Sequence, residues 1–118
     1  MKKLHIYTFA KCSTCRKALK WLDSKSLNYQ LIDIVNDPPS IRYLDLALNQ
    51  YLEEKKKLFN TRGKSFKLIN FDILTLSNKE IIQLLSSDGT LVKRPFLVNK
   101  GRDIILGFNE AEYTKRLL

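Results

Sequence analysis

Over the first 35 residues the apolar pattern changes period twice, and this leaves few ways to fold. Leu4, Ile6 and Thr8 alternate with His5, Tyr7 and Phe9, so both faces of this segment are largely apolar. That pattern predicts a central strand buried on two sides. Cys15, Ala18, Leu19 and Leu22 then fall at helical spacing and predict a helix over Ser13–Ser24. Tyr29–Val35 reads as a second strand. A helical crossover between neighbouring strands makes them parallel and right-handed, because antiparallel strands need only a short turn.

The remainder continues with helices and closes with a hairpin. The turn Asn36-Asp37-Pro38-Pro39-Ser40 should launch a helix with Ile41, Leu44, Leu48, Tyr51 and Leu52 as its apolar stripe. The run Glu53-Glu54-Lys55-Lys56-Lys57 is read as a helix end or an exposed loop, and Leu58–Gly63 as irregular. Ser65–Ile69 is expected to make one more helical turn. Ser77 with Glu80 fits a capping box before Ile81, Ile82, Leu84 and Leu85, in a helix ending near Asp88-Gly89. Pro95–Val98 and Asp103–Leu106 read as short strands joined by Asn99-Lys100-Gly101-Arg102, and Asn109 with Glu112 caps a last helix. The order βαβ, helices, ββα is that of an α/β thioredoxin-like (glutaredoxin-like) fold with a mixed sheet. One domain is expected over residues 1–118, with a helical insertion over about 38–90 between its halves.

Both cysteines of the chain sit at the first strand-to-helix switch, in Lys11-Cys12-Ser13-Thr14-Cys15-Arg16. A thiolate at Cys12 would face the free N–H groups and positive dipole end of the helix, with Lys11 and Arg16 adding charge. Such surroundings lower a thiol pKa and make a nucleophile. Cys15, one turn further in, is placed to resolve a mixed disulfide formed on Cys12. Two inert core cysteines are the bland alternative, since Cys15 also falls on the apolar stripe. A metal site is not expected, because zinc asks for four ligands and the one histidine, His5, lies inside a strand. His5 is read as a packed strand residue.

Two further stretches bear on this site. Lys93-Arg94-Pro95 opens the third strand, which in such a sheet starts beside the cysteine helix. A proline there is often cis, lacks an N–H and shapes a groove for an extended substrate. Arg94 would then aim its guanidinium toward the sulfur, where it can hold an oxyanion by two bonds. Arg62, beside Gly63, is uninformative from its local sequence alone.

Lys and Arg number 21 against 12 Asp and Glu, a formal net charge of +9, so anionic partners are favoured: an acidic protein, a small oxyanion or a nucleic acid. No nucleic-acid recognition motif accompanies the charge, and direct nucleic-acid binding is not expected. No apolar run approaches a membrane span, and the basic start lacks the apolar core and cleavage site of a signal peptide. Membrane association is therefore not expected. A cytoplasmic location is, and there a close cysteine pair is more often catalytic or metal-binding than a structural staple.

The chain resembles the arsenate reductase and Spx family of thioredoxin-fold proteins. The resemblance spans nearly all of it and rests on Cys12-Ser13-Thr14-Cys15-Arg16-Lys17-Ala18, Phe59-Asn60-Thr61-Arg62-Gly63-Lys64, Lys93-Arg94-Pro95 and Leu106-Gly107-Phe108-Asn109-Glu110. It implies that Cys12 is the reactive cysteine, that Pro95 is cis, and that Arg94 lies where the family places an oxyanion. It also implies that Arg62 helps to hold that anion or stabilises the fold. It further implies no tightly bound cofactor, with glutathione, bacillithiol or a thioredoxin as reductant. Thr8 and the loop Phe9-Ala10-Lys11 depart from the His-Asn-Pro loop of glutathione-linked arsenate reductases, which also lack the second cysteine. Glu54 departs from a glycine of the Spx regulators, which bind the RNA polymerase α subunit. The small Cys-x-x-Cys reductase-like branch, with a Ser-Asp-Gly-x-x-x-Lys-Arg-Pro run, is matched by Ser87-Asp88-Gly89 before Lys93-Arg94-Pro95.

Overall fold

The structure, a computed structural model, describes residues 3–118; Met1 and Lys2, where the leader reading and the expected domain begin, lie outside the described residues. The apolar β1 (Leu4–Thr8) is central, in a four-stranded sheet of order β2-β1-β3-β4. It pairs in parallel with β2 (Tyr29–Asp33), matching Ile6 with Leu31, and antiparallel with β3 (Phe96–Asn99). The strand β4 (Asp103–Leu106) closes the hairpin, with Lys100 and Gly101 both at positive φ in the turn. Three residues, Lys100, Gly101 and Arg102, separate the paired Asn99 and Asp103, and Gly101 takes its positive φ without a Cβ penalty. The mixed sheet with βαβ and ββα halves is the expected fold class.

Alternation along the strands sends side chains to two cores. On one face Tyr7, Phe96, Val98 and Ile104 meet the helices α2 (Ile41–Gln50) and α4 (Asn78–Ser87). On the other, Leu4, Ile6, Leu97 and Ile105 meet α1 (Ser13–Ser24) and α5 (Glu110–Leu117). The helices start where polar caps allow. Ser40 Oγ accepts from the Tyr43 N–H, Asn109 Oδ1 accepts from the Glu112 N–H, and Ser77 with Glu80 completes both bonds of the capping box.

The stretch between β2 and β3 differs in detail from the sequence reading. The stripe expected to run through Leu52 breaks at Tyr51, and Leu52–Leu58 is 3₁₀-helical, with Glu54 outside helical geometry. A short α3 covers Lys64–Lys67, one residue ahead of the expected turn. Tight 3₁₀ turns over Ile73–Thr75 and Gly89–Leu91 were not foreseen, since three-residue turns have too little periodicity to register. A Cβ on Gly89 would lie 1.8 Å from the Ile34 carbonyl oxygen, so this glycine lets the stretch after α4 close against the end of β2.

Candidate active site

The loop between β1 and α1 is a tight turn in which the Cys12 N–H donates to the Phe9 carbonyl at 2.9 Å. Cys12 is itself the N-cap of α1. Its backbone is extended, and its Sγ accepts from the Cys15 N–H at 3.2 Å. The sulfur thus takes the place that a serine or aspartate oxygen fills at an ordinary N-cap, and a free helix N–H is aimed at it. Cys12 is partly exposed, whereas Cys15 is 1% exposed; neither is in a disulfide. Burial, together with the hydrogen bond to Cys12, pushes the Cys15 thiol up to about 12, while the Phe9 backbone and the Arg94 charge pull the other way. Cys15 is therefore held neutral at ordinary pH, and the accessible sulfur is that of Cys12.

The structure gathers most of the residues singled out in the sequence, though in uneven ways. The Arg16 guanidinium donates to the Ala10 carbonyl at 2.9 Å, so it braces the loop as well as charging it. Lys11 is exposed next to Cys12. The Arg94–Pro95 peptide is cis, and Pro95 is buried with its carbonyl accepting from the Gly107 N–H at 2.9 Å. Arg94 lies with its guanidinium carbon 4.9 Å from the Phe9 ring centroid. This cation–π contact parks the charge over the cysteine loop. Phe9, read from the sequence as a strand residue and as the start of the loop before Cys12, is thus shared by Cys12, Cys15 and Arg94.

Arg62 lies in a turn tied to the stretch that leads into Pro95. Phe59 bridges Val92, the Lys93 N–H donates to the Leu58 carbonyl at 2.8 Å, and Ser65 Oγ meets Thr90 Oγ1 at 2.7 Å. These bonds lay the turn bearing Arg62 alongside the approach to Pro95. Arg62 itself is exposed and makes no hydrogen bond or ion pair to another described residue. His5 sits in β1 between Gln30 and Val98.

A groove of about 380 Å³ opens between α1 and β2, beside Cys15. Sequence alone missed it: Leu31 looked like any strand residue, and only the sheet order reveals that its side chain is 56% exposed. Larger hollows lie elsewhere. The one of about 660 Å³ is lined by Leu4, Asn28, Asn99 and Arg116, at the far end of β1 from the cysteines.

Residues 7–116 match the model of the ArsC family. This chain belongs to the ArsC family. It is 37% identical over 112 residues to the Bacillus subtilis (strain 168) protein named "Uncharacterized protein YusI", covering 93% of this chain and 94% of that one. The Global transcriptional regulator Spx of Lactiplantibacillus plantarum is 30% identical over 112 residues, covering 95% of this chain and 84% of the regulator. Among solved structures, that of a possible arsenate reductase from Streptococcus mutans UA159 superposes with a TM-score of 0.80 at 39% identity, covering 92% of this chain and 93% of that one. The ArsC- and Spx-like thioredoxin-fold assignment thus stands on sequence and structure together. No helix among the described residues is long and apolar enough to cross a membrane.

Proposed function

We propose that this ArsC-family protein is a cytoplasmic thiol–disulfide oxidoreductase in which Cys12 is the nucleophile and Cys15 the resolving thiol. The observation that carries this reading is the asymmetry of the pair: Cys12 is partly exposed and accepts a helix N–H, and Cys15 is buried and neutral one turn behind it. The Cys12 thiolate attacks a substrate disulfide; a Cys12–substrate S–S bond forms, and the other substrate sulfur leaves and takes up a proton. Cys15 then loses its proton and attacks Cys12 Sγ, releasing the second substrate thiol and leaving a Cys12–Cys15 disulfide. Two electrons have passed to the substrate. Two molecules of glutathione or bacillithiol, or one thioredoxin dithiol, return them and leave as a disulfide.

Lys11, Arg16 and Arg94 stabilise the thiolate and favour an anionic substrate, with Arg62 and the cis Arg94–Pro95 peptide as further substrate-binding groups. The same arrangement offers an oxyanion such as arsenate a nucleophile and a guanidinium. NADPH-coupled turnover, with glutathione or thioredoxin recycling, compares a mixed disulfide with arsenate. Cys12-dependent turnover of the disulfide is expected, and full activity in Cys12→Ser would overturn the nucleophile assignment. Cys15→Ser is expected to accumulate the mixed disulfide.

A second reading has its own support, the 30% identity to an Spx regulator along 95% of this chain. In it, Cys12 and Cys15 form the switch of a regulator that docks on the RNA polymerase α subunit. Retention on the α C-terminal domain that changes on oxidation would favour it.

A further inference from the structure

We infer that the groove between α1 and β2 is a docking site for an extended, acidic-apolar peptide segment of the protein whose disulfide is reduced, paired with the free edge at Leu31; this rests on the thiol–disulfide reading above. Three features meet there. The first is backbone: β2 is the edge of the sheet, and the Ile34 N–H donates to the Thr8 carbonyl at 2.9 Å. In a parallel ladder that bond sets the parity, so Ile32 turns its backbone groups to β1 and Leu31 turns its N–H and C=O outward. Asp33, two residues on, already gives its carbonyl to the Asp37 N–H, so Leu31 carries the outward-facing donor and acceptor that lie at the groove. An edge with a free donor and acceptor recognises an extended chain.

The second feature is the floor. Leu31 projects to the α1 side of the sheet, like its partner Ile6. There it lines a cavity of about 380 Å³ with Thr8, Ala10, Cys15, Arg16 and Leu19. That room and lining suit one apolar side chain. The third feature is charge. Lys11 and Arg16 stand at the cysteine end, and the rim carboxylate, Asp33, is engaged by the Val35 N–H at 2.9 Å and by Asn36 Nδ2 at 3.0 Å. The mouth therefore complements an acidic residue next to the apolar one. Cys15 of the thiol pair and the neighbouring Arg16 also line the groove, which sets it beside the reacting sulfur.

The test uses an eight-residue peptide of alternating Asp and Leu around one cysteine, its Cys→Ser version, and a Ser version N-methylated at the pairing amide. The Ser peptide examines the groove without redox chemistry. Expected results are slowed hydrogen exchange at the Leu31 amide on binding, and affinity roughly tenfold weaker for Leu31→Glu and for the N-methyl peptide. Turnover of a small aromatic disulfide should fall less in Leu31→Glu than peptide affinity does. An unprotected Leu31 amide, or an affinity indifferent to both changes, overturns the proposal. So does a dimer by light scattering that Leu31→Glu dissociates and the peptide does not, since the edge would then pair with a second copy. Peptide binding without any Cys12-dependent turnover removes the redox reading and leaves the groove standing; turnover without peptide binding does the reverse.

Discussion

The two faces of the sheet divide the work between them. The face under α2 and α4 gathers sixteen buried residues into its core, among the described residues, against eight under α1 and α5. The larger core is nearly pure hydrocarbon, with Leu44, Leu48, Ile81 and Leu85 from the helices. The smaller one carries polar edges: Trp21 Nε1 is buried with no hydrogen-bond partner among the described residues, and the buried Tyr113 hydroxyl donates to the Gly107 carbonyl at 3.1 Å. Trp21, Tyr113 and Phe108 meet edge to face there. The helix that carries both cysteines therefore rests on the smaller core, while stability is concentrated on the opposite side.

The largest expected effect tests the chemical half of this division. Cys12→Ser should lower disulfide turnover by on the order of 10³-fold or more and leave the thermal midpoint nearly unchanged. In the same variant Cys15 should still alkylate slowly at neutral pH, since burial, the largest cause, continues to hold its thiol up. A fast-reacting Cys15 at neutral pH would erase the asymmetry on which the mechanism rests.

On the opposite face, Leu48→Ala should cost about 2–5 kcal/mol in denaturant unfolding, because it opens a cavity in a close-packed region. Turnover per folded molecule should stay within about twofold. If activity instead collapsed in the folded fraction, the two faces would not be separable.

Smaller changes sharpen the contrast on the α1 side. Tyr113→Phe keeps the ring packing and strips the donor from Gly107, whose N–H holds the Pro95 carbonyl. A loss of about 1–3 kcal/mol is expected from the orphaned carbonyl. Trp21→Phe trades lost ring volume against removal of a donor that has no partner, so its cost should fall below the 3–5 kcal/mol of a large-to-alanine change.

The smallest effect lies at the capping box. The Ser77 backbone N–H, with the Ser77 side chain, holds the Glu80 carboxyl below its usual pKa. A depressed carboxylate adds stability above its unfolded pKa and loses it as pH falls through the folded one. The thermal midpoint of wild type should thus drop more than that of Glu80→Gln on acidification below about pH 4.5.

Much of this architecture was legible in the chain itself. Alternation in β1, the stripe of α1, the Ser77–Glu80 box, the Lys100-Gly101 turn and the Asn109 cap are signals carried within a few residues. Periodicity, side-chain capping and φ preference act over that range, so sequence alone determined these elements and placed Cys12-x-x-Cys15 at a helix start. The break at Tyr51 and the 3₁₀ run after it were hidden, because the apolar stripe continued through Leu52. Only the tertiary structure decided that Phe9 is shared by Cys12, Cys15 and Arg94, that the Arg62 turn lies beside the Pro95 approach, and that Leu31 sits on an open edge. Those relations join residues far apart in the chain. They depend on strand order and on which backbone groups remain unpaired after the sheet has formed, and no local preference encodes either.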